Sequence, residues 1–309
     1  MANITGGKNL KSKLIEVVVA SPAGVDEFFS ALNIFLAITA SLGNALILIA
    51  LHKVSSIHPP TKRFFQSLAV SDLCVGVIVQ PLFAIFLLSR VTEVNEDVLN
   101  YIYEVSRASS WILCAVSVLT STAISVDRLL ALLLGLRYRH VVTSRRVRIV
   151  IICFWLIGAV AGLTRVWRRD VALTQGSVVI ILSLLTSILS YLNIHLKLRH
   201  QHVLIQSNVS REPTSNSGEI PLNIARYKRT VSSILWVQLA LVACYIPWGI
   251  LAVLFVIGIE NDEAWIAAET LIYLNSSLNP ILYCWKIREV RQVVKDIIRQ
   301  LNCVCQLCV

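Results

Sequence analysis

The sequence predicts an all-α membrane protein: a bundle of seven transmembrane helices, N-terminus outside, with an amphipathic cytoplasmic helix after the seventh span. Three observations carry this. Hydrophobic residues are 56% of the 309 and charged residues only 15%, with a mean hydropathy of +0.71; a soluble domain has roughly 45–50% and 25%. Seven runs approach the ~20 apolar residues that cross a bilayer, at about 28–51, 65–89, 105–134, 147–166, 175–197, 231–258 and 264–285. Lys and Arg are also unevenly divided. With the N-terminus outside, twenty of the 28 fall in inner segments and eight in outer ones, as the cationic bias of cytoplasmic loops requires. The net charge of +10 is therefore a topology signal, and nothing argues for nucleic acid as a partner.

Three units follow along the chain: an extracellular segment 1–27, the bundle 28–285, and a cytoplasmic helix and Cys-rich tail 286–309. Residues 1–27 lack the compact apolar stretch of a cleavable signal peptide, so the first span is expected to act as a signal anchor. Asn3-Ile4-Thr5 is a glycosylation sequon on the outer side. The second span carries Asp72, and the third ends in Asp127-Arg128. The fourth is plainly apolar, whereas the fifth and seventh are the most mixed. Between the fifth and sixth, 206–223 is rich in Ser, Asn, Pro and Gly and reads as a flexible cytoplasmic linker. After the seventh, Ile287, Val290, Val293, Val294, Ile297, Ile298 and Leu301 recur at helical spacing between Lys286, Arg288, Arg291, Lys295 and Arg299. That pattern predicts a basic amphipathic helix on an anionic membrane lipid surface. Cys303, Cys305 and Cys308 at its end are candidate S-palmitoylation sites. No internal repeat is visible.

Polar residues inside the spans are functional candidates, because lipid penalises them unless they are partnered. Asp72 is the clearest. In the seventh span, YLNSSLNPILYCW packs two asparagines, two serines and a proline into an apolar run. Asn275 and Asn279 are one helical turn apart and share a face, and Ser117 in the third span could complete a ring about the Asp72 carboxylate. Such a set of oxygens suits a hard monovalent cation or a water cluster.

Taken together, these motifs resemble the rhodopsin-like (class A) G-protein-coupled receptors across all seven spans. The residues that carry the resemblance are Gly43-Asn44, the run Leu68 to Asp72, Asp127-Arg128, Trp155, Tyr191, Cys244-Tyr245-Ile246-Pro247 and Asn279-Pro280-Ile281-Leu282-Tyr283. The resemblance implies a plasma-membrane receptor that binds an extracellular ligand and activates a heterotrimeric G protein. It implies a sodium site at Asp72, Ser117, Asn275 and Asn279. It further implies a switch in which Arg128, beside Asp127, meets the G protein while Tyr191 and Tyr283 move in beside it, with Tyr245 as toggle and Pro247 and Pro280 as kink points.

Departures from the family pattern sharpen the expectations. Asp127-Arg128 is followed by Leu129, Tyr245 stands where tryptophan is usual, and Ser183 replaces a proline in the fifth span. RYKRT before the sixth span has no acid to latch Arg128, so raised basal activity is expected. Neither the top of the third span nor the short second outer loop has a cysteine, so the family's disulfide is missing. This outer face resembles the melanocortin, cannabinoid and lysophospholipid receptor group. Ser110 lies where receptors for biogenic amines carry aspartate, which favours a peptide or lipid ligand. Helical position nominates Glu104, Arg107, Ser110, Trp111, Cys114, Trp248, Glu269 and Tyr273 as its pocket, with Glu269 either a charged anchor or a solvated rim residue. The tail beyond Trp285 has no Ser or Thr, so arrestin would dock through phosphorylation of the third cytoplasmic loop. No nucleophile–base or metal constellation suggests an enzyme; an ion-coupled transporter or channel using Asp72 is the rival reading.

Overall fold

The computed structural model describes residues 23–92, 95–209, 239–255, 257–259, 261–286 and 288–307. Among these residues the chain is helical throughout, with no strand. Asn3, the third cytoplasmic loop from Ser210 onward with the basic segment before the sixth span, and Cys308 lie outside the described residues.

Helix α1 (Ala23–Lys53) ends in His52 and Lys53, which complement its carboxyl-terminal dipole. Lys62 Nζ donates 2.8 Å to the Val54 carbonyl across the following turn, and Pro59 and Pro60 open α2 (Pro59–Cys74), where a missing N–H costs nothing. The second span is not one α-helix. A π-turn at Val75–Val79 separates α2 from α3 (Gln80–Val91). Pro81 cannot donate to the helical ladder, so the backbone re-pairs over the preceding turn. Gly76 sits in this turn against α1: a Cβ there would lie 2.7 Å from Ser41 Oγ and 2.9 Å from its backbone nitrogen.

Asn95 caps α4 (Glu96–Leu134) by accepting 2.9 Å from the Asp97 N–H. At 39 residues α4 is about 58 Å long, well beyond the ~30 Å hydrocarbon core, and it begins nine residues before the span expected at 105. It stops at Gly135, whose φ of 52° suits only glycine without strain. A 3₁₀ turn at Gly135–Arg137 leads into the short α5 (Tyr138–Val141). Helix α6 (Ser144–Trp167) is capped by Thr143. Only Arg168 separates it from α7 (Arg169–Val209), so the second outer connection, expected as a short loop, is almost entirely helical. Helix α7 runs unbroken through Ser183 and extends twelve residues past the expected end at 197.

Helix α8 (Leu239–Phe255) is the described part of the sixth span. Gly258, at φ 83°, turns the chain, and Asn261 Oδ1 accepts 3.0 Å from Ala264 N–H at the start of α9 (Asp262–Lys286). Helix α10 (Arg288–Leu307) follows and packs Val290, Val294 and Ile297 under the bundle. Among the described residues five helices are long and apolar enough to span a membrane, and α8 is a shorter apolar one. Helix α9 is long enough, at 25 residues, but its polar central turns hold its hydropathy down.

The core divides into two apolar clusters. The upper one gathers Val75, Val79, Phe83, Leu87, Leu113, Trp248 and Tyr273. The lower one gathers Ile47, Leu51, Phe65, Leu68, Ile124, Tyr283 and Val290. Between them, on α1, α2, α4 and α9, lies a buried polar layer: Asn44, Asp72, Ser117, Ser276 and Asn279. On the outside, Phe35, Leu42, Ile157 and Val160 are exposed, the face a lipid solvent requires. At the outer end a buried ion pair, Arg90 Nε to Asp26 Oδ2 at 3.4 Å, ties α1 to α3.

Close helix approach depends on two further glycines one turn apart. A Cβ on Gly158 would lie 2.8 Å from the Ile112 carbonyl, and one on Gly162 would lie 3.1 Å from the Ala108 carbonyl. Gly158→Ala is expected to destabilise the bundle by about 1–3 kcal/mol, since backbone cannot yield cheaply. Gly249→Ala, with nothing within 4 Å, should be neutral or better. Melting of both purified variants in detergent checks the contrast.

Candidate functional site

The candidate site is a column of three polar stations through the bundle. The central one is built on Asp72, whose side chain is fully buried. Its Oδ1 accepts from Ser276 Oγ at 2.9 Å and Ser117 Oγ at 3.3 Å. Its Oδ2 accepts from Asn279 Nδ2 at 2.7 Å. Asn44 braces the same layer by donating to the carbonyls of Ala40 and Ser276 at 2.9 and 3.0 Å. Ser117 and Asn279 thus meet Asp72 as their helical positions implied. Asn275 is buried but makes no hydrogen bond to the carboxylate, and Ser276 takes that place. The signal was available, since Ser276 lies three residues before Asn279 and shares its face. The oxygens Asn275 Oδ1, Asn279 Oδ1 and Thr120 Oγ1 are buried without a protein partner. One carboxylate among neutral oxygens fits a hard monovalent cation. Among the described residues no group of three His, Cys, Asp or Glu side chains could hold a metal.

The inner station lies at the end of α4. Asp127 Oδ1 accepts from the Tyr138 hydroxyl at 2.6 Å, and Oδ2 accepts from Thr61 Oγ1 at 2.9 Å. Arg128 Nε donates 3.1 Å to Asp127 Oδ2, while its Nη2 donates to Thr61 Oγ1. The guanidinium is thus held sideways against its own helix and α2. Thr61 and Tyr138 escaped the sequence reading because each pairs across a loop and carries no charge. Tyr283 is buried against Phe65, ring centroids 5.3 Å apart, with its hydroxyl unpartnered. Tyr191 lies half-buried on α7, its ring 6.1 Å from that of His195.

The outer station is a cavity of about 570 Å³, within the range of small-molecule sites. Arg107, Ser110, Trp111, Cys114, Trp248, Glu269 and Tyr273 all line it, and Tyr245 joins them. Glu104 does not: its side chain is 48% exposed and faces Arg165 across 3.8 Å. Glu269 is no solvated rim residue; its side chain is 4% exposed and ion-paired with Arg107. Tyr273 donates 3.1 Å to Ser110 Oγ, and the Trp111 and Trp248 rings meet edge to face at 5.8 Å. Gly176 leaves the room for Trp111, because a Cβ there would lie 2.6 Å from its ring.

An outer cavity above two buried polar stations, in helices long and apolar enough to cross a membrane, is an arrangement suited to a membrane receptor. Comparison agrees. The profile of the 7 transmembrane receptor (rhodopsin family) matches residues 43–171. The chain is 26% identical to the adenosine receptor A3 of Ovis aries over 91% of each chain, and 24% identical to that of Bos taurus with the same coverage. It is 24% identical to the melanocortin receptor 5 of Mus musculus, over 94% of this chain and 89% of the relative. The resemblance to rhodopsin-like (class A) G-protein-coupled receptors is thereby borne out. These relatives are receptors, not enzymes, and they support a membrane-bound G-protein-coupled receptor with a G protein and an extracellular ligand as partners.

Tyr138→Phe removes a hydroxyl from a charged acceptor and is expected to cost about 1.5–3 kcal/mol. Thr186→Ala, which removes an exposed hydroxyl bonded only to its own helix, should stay within about 0.5 kcal/mol of wild type. Thermal unfolding of the purified proteins separates them.

Proposed function

We propose that the protein is a plasma-membrane receptor that binds an extracellular ligand in the cavity between α4, α6, α7, α8 and α9. Binding drives a helix movement that frees Arg128 to engage a heterotrimeric G protein. The observation that carries this reading is the continuity of α9. One helix presents Tyr273 and Glu269 to the cavity, Ser276 and Asn279 to Asp72, and Tyr283 to the inner cluster. Its Pro280 is packed so closely on Gly43 that a Cβ there would meet the ring at 2.9 Å. A ligand that shifts Tyr273 or Glu269 therefore acts on the Asp72 station through one rigid element with a built-in kink, and Pro247 gives α8 the same freedom. Tyr245 and Trp248, on the floor of the cavity, transmit the shift to α8.

Asp72, Ser117, Ser276, Asn275 and Asn279 would hold a sodium ion, whose charge would favour this closed arrangement. Arg128 is held by Asp127 and Thr61. Basal activity then depends on how readily that local hold opens. Cys303 and Cys305 in α10 and Cys308 beyond it are proposed acylation sites, Asn3 a glycosylation site, and the third cytoplasmic loop the arrestin dock. The relatives named for adenosine and melanocortin lie within 24–26% identity of the chain, so neither assigns the ligand.

Basal G-protein activation in transfected cells, at matched surface expression, tests the reading. Arg128→Ala should abolish a basal signal that wild type shows, and Thr61→Val should raise it several-fold by freeing the guanidinium. A basal signal that survives Arg128→Ala contradicts the switch. Replacing Ser207, Ser210, Thr214, Ser215 and Ser217 with alanine should remove agonist-dependent arrestin recruitment, read as proximity luminescence; undiminished recruitment rejects the third-loop dock.

A further inference from the structure

The outer cavity has a wall that a site for a water-borne ligand does not need. Leu156, Ile157 and Val160 of α6 and Val178 of α7 line it, yet these side chains are 44–62% exposed on the outer surface of the bundle. The same residues bound the cavity on one side and the bilayer on the other. The gap between α6 and α7 is therefore an apolar slot that joins the cavity to the lipid. At its deeper end the lining becomes aromatic, with Trp111, Trp248 and Tyr273.

The charged side chains grouped around Arg107 and Arg165, at the opposite end of the cavity, have one sign in surplus. Arg107 pairs with Glu269 and stacks over the Tyr103 ring at 5.0 Å. Arg165 lies within electrostatic reach of Arg107, Arg169 and Glu104, and Arg169 sits over the Phe255 ring at 4.9 Å. Three guanidiniums thus face two carboxylates, while Arg168 and Asp170 are exposed and offset each other. Arg107 Nε, moreover, is buried with no partner, so the pair with Glu269 leaves one strong donor unused. Guanidinium is the side chain best suited to bind a carboxylate or phosphate by two parallel hydrogen bonds.

We infer that the cavity takes an anionic single-chain amphiphile, its headgroup bound by Arg107 and its chain lying in the slot between α6 and α7. This rests on the reading of the cavity as the receptor's ligand site and names the chemical class of its ligand. A headgroup alone would leave the apolar slot unfilled. A chain with a cationic head would set a fourth positive charge among three. A fatty carboxylate and a phosphate monoester share the required chemistry. Both reach the slot from within the membrane.

The test uses the full receptor in phosphatidylcholine nanodiscs and quenching of its tryptophan fluorescence by brominated C18 chains that end in a carboxylate, a phosphate or an amine. A saturable quenching component is expected for the carboxylate or the phosphate, and whichever saturates at lower concentration identifies the headgroup. The amine should require at least roughly tenfold more. Ala161→Phe, which fills the slot, should abolish the saturable component, with Val160→Phe as a second filling variant should the first fail to fold. Arg107→Gln with Glu269→Gln, which removes both charges together, should erase the preference for the anion yet keep chain-dependent quenching. Equal saturation by amine and acid overturns the inference, as does saturation untouched by either filling variant. No saturable component in a receptor whose basal signal still depends on Arg128 would also overturn it, with the receptor reading left standing.

Discussion

A carboxylate buried at the middle of a membrane protein is the constraint on which the rest depends. Asp72 has no access to water, and an isolated carboxylate in so apolar a setting is costly enough to forbid the fold unless donors converge on it. Ser117 of α4 and Ser276 and Asn279 of α9 supply them. Three helices are thereby held in rotational register, because a turn of any one would withdraw its donor. The apolar clusters above and below then have fixed faces to pack, and Gly43 and Gly76 permit the helix contacts that bring α1 against the same layer. The buried partners do more to specify one arrangement than to stabilise it, since much of their attraction offsets their own desolvation.

Such a layer is also well suited to a switch. Hydrogen bonds among serine, asparagine and carboxylate can be exchanged without loss of the apolar packing around them, and several oxygens in the layer remain unpartnered. Two arrangements of similar free energy are the usual consequence, and a ligand that prefers one biases the balance by its differential affinity. The proposed coupling runs along a physical element: α9 bears contacts to the cavity, the polar layer and the inner cluster within three turns, with Pro280 between them. At the inner end Arg128 is tethered by Asp127 and Thr61, a hold that a small rotation of α4 against α2 would break.

The legible part of the fold was whatever depends on composition and period. Apolar runs marked the five helices long and apolar enough to cross a membrane, and the polar turns of 273–285 pointed to the central station, because lipid makes every buried polar residue informative. Helical spacing was likewise enough to bring seven of eight proposed pocket residues to one cavity. What could not be read depends on pairing between elements. Asp26 counted as part of an exterior segment, yet it forms a buried ion pair with Arg90. Tyr138 opens the short α5, in a connection whose sequence carries no sign that its hydroxyl reaches Asp127. Asn275 and Ser276 are adjacent, and which of them faces Asp72 depends on a rotation of α9 of about 100°, a difference that backbone packing decides. Glu104 and Glu269 were both assigned to the pocket, but Glu104 is half exposed beside Arg165 while Glu269 is buried against Arg107.

The central claim is that occupancy of the Asp72 layer governs the inner end of α4. Amide hydrogen exchange at the segment around Asp127 to Tyr138, followed in purified receptor with sodium and with a bulky organic cation at equal ionic strength, tests it most directly. The account predicts slower exchange there in sodium, and no difference between the two salts once Asp72 is replaced by asparagine. A sodium effect of the same size in Asp72→Asn, or none at that segment in the wild-type protein, would contradict it.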